Sequence, residues 1–191
     1  MAGASPVVRW ILVVTAAVWV MLELRQSITH RPVGVKANWR SEVLFRLIVG
    51  GGALTAGALA KVAQLAKFRP TAFVVWIGIV LFWCGISLRV WSFRALGRYF
   101  TFTVQTSRDQ PVITEGPYRL IRHPSYAGLL LVIVAAGLFM GNWWSLVCLT
   151  VVTAGGLVFR IGVEDRTLLQ NLGANYGSYA ATHKRLVPFV W

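Results

Sequence analysis

Residues 126–159 read YAGLLLVIVAAGLFMGNWWSLVCLTVVTAGGLVF. Between two apolar halves, 126–141 and 143–159, stands only Asn142 as a polar break. A membrane-spanning helix needs about 20 mostly apolar residues. Each half is slightly short of that, and the pair reads as a tight helical hairpin rather than one long span. Three further apolar blocks precede it: residues 7–24, 43–65 (with Arg46 and Lys61 near its ends) and 71–91. The chain is therefore expected to be an all-α integral membrane protein of about five transmembrane helices, its last two forming the hairpin. The first block lacks a small-residue cleavage site, so it reads as a retained helix rather than a signal peptide.

Composition agrees. Of 191 residues, 57% are hydrophobic and 13% are charged, against about 25% charged in an ordinary soluble domain. The net charge is +13. In a nucleic-acid binder the basic residues would line a polar face; here they sit between the apolar blocks, so no nucleic-acid partner is expected. Cys84 and Cys148 lie inside apolar blocks and read as small buried hydrophobes. No obligate protein partner is evident.

Five spans put the termini on opposite sides. The loops at 25–42 and 92–125 and the C-terminal tail then share one face. That face carries Arg25, Arg31, Lys36, Arg40, Arg94, Arg98, Arg108, Arg119, Arg122, Arg166, Lys184 and Arg185. The other has Arg9, Lys61, Lys67 and Arg69. The positive-inside rule makes the first face cytoplasmic. Eight of the nine tryptophans fall mostly near block ends and suit an interfacial belt. Gly50, Gly51 and Gly52 read as close helix packing.

The polar counterpart of the oil is GPYRLIRHPSYAG, residues 116–128. Proline disfavours helix in the residue before it and suits the first helical turn, so the fourth helix is predicted to start at Pro124. Its unsatisfied N–H groups carry positive potential, beside Arg122 and His123. The fifth helix runs on through RIGVEDRTLLQNLG to a C-cap at Gly173. From Trp144 to Leu172 it spans about 43 Å, so its last turns project beyond a hydrocarbon core of about 30 Å.

Arg160 and Glu164, one turn apart, share a face where this helix leaves the bilayer. Two readings fit: an ion pair with Arg160 snorkelling to headgroups, or groups facing a polar cavity. The hairpin brings them near His123–Tyr126. A helix start that accepts a carboxylate and an acid that accepts an ammonium together match a zwitterionic amino acid.

These motifs, with LLQNLGANYGSYAATHKRLVPF after the acidic pair, resemble the isoprenylcysteine carboxyl methyltransferase family and the related membrane phospholipid N-methyltransferases. The resemblance covers residues 103–190. It implies an S-adenosylmethionine-dependent enzyme with its active site at the cytoplasmic membrane face. Gln105, Val112, Ile113, Tyr118, His123, Pro124, Ser125, Tyr126 and Glu164 match the family's cofactor-contacting positions, and Arg160 an arginine assigned to the methyl acceptor. The family's acidic pair is Glu-Glu; here it is Glu164-Asp165. The resemblance implies direct in-line methyl transfer to a lipophilic acceptor, a prenylcysteine carboxylate or another lipid-like oxygen, nitrogen or sulfur nucleophile. A phenol acceptor needs a general base, for which His123 and Tyr118 are candidates.

The whole chain, 1–191, is expected to be a single membrane domain. Residues 1–100 form three spans that shape an acceptor tunnel, and 101–191 carry the cofactor loop, the hairpin and the tail. The partners implied are membrane lipid and a lipophilic or prenylated acceptor. The alternative enzyme is a sterol-type NADPH-dependent membrane reductase, which carries a similar HPNYxGE motif. Here Ser125 replaces its asparagine and Leu129 its acid. A channel or transporter subunit would place polar residues mid-span, and blocks one, three and four offer almost none. No residues show metal-ligand spacing.

Overall fold

The computed structural model describes residues 35–36, 39–68, 71–97, 105–106 and 111–191, together with Val14, Ala17, Val18 and Met21. The chain divides into two compact units, Met1–Arg31 and Pro32–Trp191. In the first, the four described residues are helical; the rest of the first apolar block lies outside the described residues. In the second unit, the strand β1 (Val35–Lys36) pairs antiparallel with β2 (Gln105–Thr106).

Among the described residues, four α-helices build the second unit: α1 (Trp39–Val62), α2 (Ala72–Leu96), α3 (Pro124–Met140) and α4 (Trp143–Thr182). Three contain stretches long and apolar enough to cross a membrane: Val43–Val62 in α1, all of α2, and α4. With 17 residues, α3 is about 25 Å long. Many of its neighbours' large apolar side chains face outward, including Leu47, Leu54, Phe73, Trp76, Val151 and Phe159. Lipid is the solvent that makes such a surface stable.

Small residues set the helix contacts. A Cβ on Gly85 of α2 would lie 2.6 Å from the carbonyl oxygen of Gly128 in α3, and the reverse contact is also 2.6 Å. Between α1 and α4, a Cβ on Gly52 would meet Val152 at 2.8 Å, and Ser145 Oγ donates to the Ala56 carbonyl at 2.8 Å. Without a hydrophobic force between helices in lipid, such close approach holds them together. Of the glycine run, only Gly52 packs in this way; Gly50 and Gly51 face open space.

α3 and α4 are joined by Gly141 and Asn142 alone. Gly141 adopts the left-handed conformation that a helix C-terminus favours, with φ 64°. Asn142 is fully buried. Its Oδ1 accepts from Ser145 N at 3.1 Å, and its Nδ2 donates to the Ala63 carbonyl at 2.9 Å. Phe68 N donates to the Gly141 carbonyl at 2.9 Å. The α1–α2 connection is thus tied to the α3–α4 turn.

At Gly173 the expected stop becomes a break. Its φ of 56° and ψ of −131° interrupt α4, and a second helical piece continues to Thr182. The chain after it returns to the start of α3. Arg122 N and His123 N donate to the carbonyls of Lys184 and Arg185 at 2.8 and 2.9 Å.

Candidate active site

The polar cluster forms where α3 begins and α4 passes it. Pro124 is the first residue of α3 and His123 its N-cap, as the proline predicts. The His123 ring makes no cap bond. It turns instead to α4, where Nε2 lies 2.9 Å from Asp165 Oδ1 and Nδ1 lies 3.9 Å from Glu164 Oε1. His123 is 5% exposed.

Tyr126 is the bridge. Its hydroxyl donates to Glu164 Oε2 at 2.6 Å and accepts from Arg160 Nε at 2.6 Å. Arg160 and Glu164, one turn apart on α4, therefore meet through a phenol from α3. The Arg160 guanidinium also lies over the Phe45 ring of α1, 5.3 Å from its centroid, and over Tyr126 at 5.7 Å. Rings on both elements favour a planar cation there. The Glu164 side chain keeps 28% exposure while the His123 side chain has 3%. That leaves the carboxylate accessible on one side.

Asp165 plays a different part. Arg122 NH1 and Arg185 Nε donate to its Oδ2 at 2.9 and 3.0 Å. Tyr176 donates to Oδ1 at 2.6 Å, beside His123. A carboxylate offers about four lone-pair sites, and four side chains use them. Tyr179, one turn after Tyr176, donates to the Tyr118 carbonyl at 2.7 Å. The tail thus clasps both sides of the 118–123 segment.

Tyr118 belongs to a 3-10 turn, Gly116–Arg119. Gly116 has φ 59°, and a Cβ there would sit 3.1 Å from Trp91 Nε1. The positive φ favours glycine, and the tight contact adds to that preference. Tyr118 is buried. Burial first, and the Glu164 carboxylate second, push its phenol well above the ordinary tyrosine value. That opposes a role as general base. Arg89 of α2 is buried and donates from NH1 to the Ser125 carbonyl at 2.9 Å.

Of the residues singled out in the sequence, His123, Tyr126, Arg160 and Glu164 come together directly. Pro124 and Ser125 form the buried first turn of α3 beside them. Tyr118 borders the cluster; Val112 and Ile113 are half-buried in the segment leading to Gly116. Gln105 pairs through β2 with Lys36, and its side chain lies outside the description. Sequence reasoning assigned no site role to Asp165, Tyr176, Tyr179, Arg185, Arg89 and Phe45. The local signals were the place of Asp165 in the acidic pair and the three-residue spacing of Tyr176 and Tyr179. Among the described residues, no group of three or more histidines, cysteines and acids could hold a metal ion.

The apolar bundle thus gathers the buried ionisable groups His123, Arg160 and Asp165 at one end. The family model for phospholipid methyltransferase matches residues 73–175. Protein-S-isoprenylcysteine O-methyltransferase B of Arabidopsis thaliana is 31% identical over 143 residues, 72% of this chain and 73% of that protein. The Schizosaccharomyces pombe protein-S-isoprenylcysteine O-methyltransferase is 26% identical over 166 residues, 81% of this chain and 68% of its own. A solved eukaryotic intramembrane Ras methyltransferase, isoprenylcysteine carboxyl methyltransferase, shares the fold with a TM-score of 0.55 at 24% identity. The match covers 78% of this chain and about half, 51%, of that one. The chain belongs to the isoprenylcysteine carboxyl methyltransferase family, and more than half of it matches the phospholipid methyltransferase model.

Proposed function

We propose that this protein is an S-adenosylmethionine-dependent methyltransferase at the cytoplasmic membrane face, acting on a lipophilic acceptor that carries an anionic or nucleophilic head. The single observation that carries this reading is the Tyr126 hydroxyl standing between Arg160 and Glu164, with His123 beside Glu164. The donor set fits the cofactor. A partly exposed carboxylate and an imidazole suit an α-ammonium, and the first turn of α3 suits a carboxylate. Tyr118, Pro124 and Ser125 border that region; Val112, Ile113 and Gln105 are assigned by resemblance alone.

When bound, S-adenosylmethionine supplies an electrophilic methyl group on a sulfonium, so no covalent enzyme intermediate is needed. The chain's own residues bind, align and exclude water. Arg160, braced by Phe45 and Tyr126, orients an acceptor carboxylate. An acceptor that is already an anion requires no general base. A prenylcysteine carboxylate, in keeping with relatives that are isoprenylcysteine O-methyltransferases, is the acceptor class we favour. Five crossings, with the N-terminus opposite the active site and C-terminal tail, complete the reading; the cation asymmetry supports that orientation. No observation favours the reductase alternative.

The test is methyl transfer from labelled S-adenosylmethionine to N-acetyl-S-farnesylcysteine by purified protein in detergent. Wild type is expected to transfer label. Arg160→Lys, which keeps the charge but not the planar fork, is expected to lose kcat/KM about a hundredfold while binding S-adenosylhomocysteine normally. Label transfer to an alkylphenol and not to the prenylcysteine would overturn the acceptor class. Transfer to neither, with NADPH bound, would overturn the reaction.

A further inference from the structure

We infer that Asp165 is a positioning residue that fixes the tautomer of His123, so that His123 Nδ1 and Glu164 together form a two-acceptor cradle for an ammonium group. This rests on the proposed methyltransferase reading and assigns the ligand amine to a particular pair of atoms.

The argument begins at Nε2. Its neighbour at 2.9 Å is a carboxylate oxygen of Asp165, which can only accept while ionised. Nε2 must therefore carry the proton. In a neutral imidazole Nδ1 is then an acceptor. Nδ1 faces Glu164 Oε1 at 3.9 Å, too far for a direct hydrogen bond. Two acceptors face each other across a gap, with Glu164 partly exposed. A donor-only group with several N–H bonds satisfies both.

Charged groups surround the ring and its partners. Glu164 and Asp165 face it from α4; Arg122, from the turn before α3, and Arg185, from the tail, bind Asp165; Arg160 reaches Glu164 through Tyr126. Tyr126 stacks near the ring, with centroids 5.7 Å apart, and Tyr176 shares Asp165 Oδ1.

Asp165→Asn separates this role from packing. The asparagine oxygen would turn to the two guanidinium donors now on Oδ2. The amide NH2 would then face His123 Nε2, forcing that nitrogen to accept. The proton moves to Nδ1, which becomes a donor aimed at Glu164, and the cradle is closed to an ammonium. A carboxylate that sets a histidine tautomer by accepting from one ring nitrogen is a general device.

The experiment uses the full-length protein in detergent at pH 8. Nitrogen-15 NMR of histidine, with His123 assigned by His123→Asn, is expected to show Nε2 protonated and Nδ1 bare in wild type. Calorimetry is expected to show S-adenosylhomocysteine binding about tenfold or more tighter than its deamino analogue, in which hydrogen replaces the α-amino group. In folded Asp165→Asn that preference is expected to vanish, with affinity for the deamino analogue retained. A purely structural Asp165 would weaken both ligands equally, and that result overturns the inference. So does a wild-type His123 protonated at Nδ1, a measurement that decides the matter even where the variant fails to fold. If wild type binds neither ligand, the proposed function falls and the inference with it; if it binds both with the amine preference intact in Asp165→Asn, only the inference falls.

Discussion

The two ends of the α3–α4 pair solve one problem in opposite ways. At the connection, Asn142 is fully buried and bonded to backbone groups on both sides. Its partners are the chain itself, so its polarity is spent on holding the turn. At the start of α3, the polar groups are side chains bonded to side chains. Asp165 is as fully used as Asn142, but Glu164 keeps an open flank beside His123. Buried polarity alone therefore does not mark a site. The mark is a charged acceptor held in place by one neighbour while still able to meet another.

The largest predicted effect follows from that contrast. Glu164→Ala should weaken S-adenosylhomocysteine binding about a hundredfold, as expected when a charged hydrogen-bond partner worth about 3 kcal/mol is lost, with little change in thermal stability. Asn142→Ala should do the reverse: about 2 kcal/mol of stability lost because buried backbone groups lose their partners, and binding intact below the lowered Tm. Equal losses of both properties in either variant would erase the distinction.

Packing gives a further step down. Gly128→Ala must push a methyl against the Gly85 carbonyl and the Arg89 side chain, costing about 1–3 kcal/mol by overpacking. Gly50→Ala, facing open space, should be close to neutral in a parallel melt. Gly173→Ala faces no clash but strains a residue at φ 56°, costing about 1 kcal/mol. Because the tail beyond Gly173 carries Tyr176, Tyr179 and Arg185, this variant should also loosen S-adenosylhomocysteine binding slightly.

The smallest effect is alkaline. The Tyr118 phenol titrates well above its ordinary 10.0 in the folded protein. A raised folded value means the native state holds the proton more tightly. The stability it contributes is therefore complete below pH 10 and is lost as the pH rises through the folded value. Tyr118→Phe should flatten the fall in stability above pH 10, measured by chemical unfolding.

Much of this was legible in the sequence. Pro124 announced the start of α3 because its ring constrains both itself and His123. Arg160 and Glu164 were legible because helical spacing puts them on one face. The hub at Asp165 was not, since its partners Arg122, Tyr176 and Arg185 lie 43, 11 and 20 residues away. Only the return of the tail brings them together, and no local periodicity encodes a tail docking through two backbone bonds. Gly173 reads as a stop because a glycine at positive φ commonly ends a helix; here the chain resumes a helix beyond it. The glycine run looked uniform, yet only the residue facing Val152 needs to be small.

The most direct test of the central claim is calorimetric titration of S-adenosylhomocysteine into wild type, Glu164→Ala and Asn142→Ala. Binding by wild type and Asn142→Ala, with a loss of about two orders of magnitude in Glu164→Ala alone, is the result predicted here. Equal binding in Glu164→Ala and wild type would contradict the placement of the site at the start of α3.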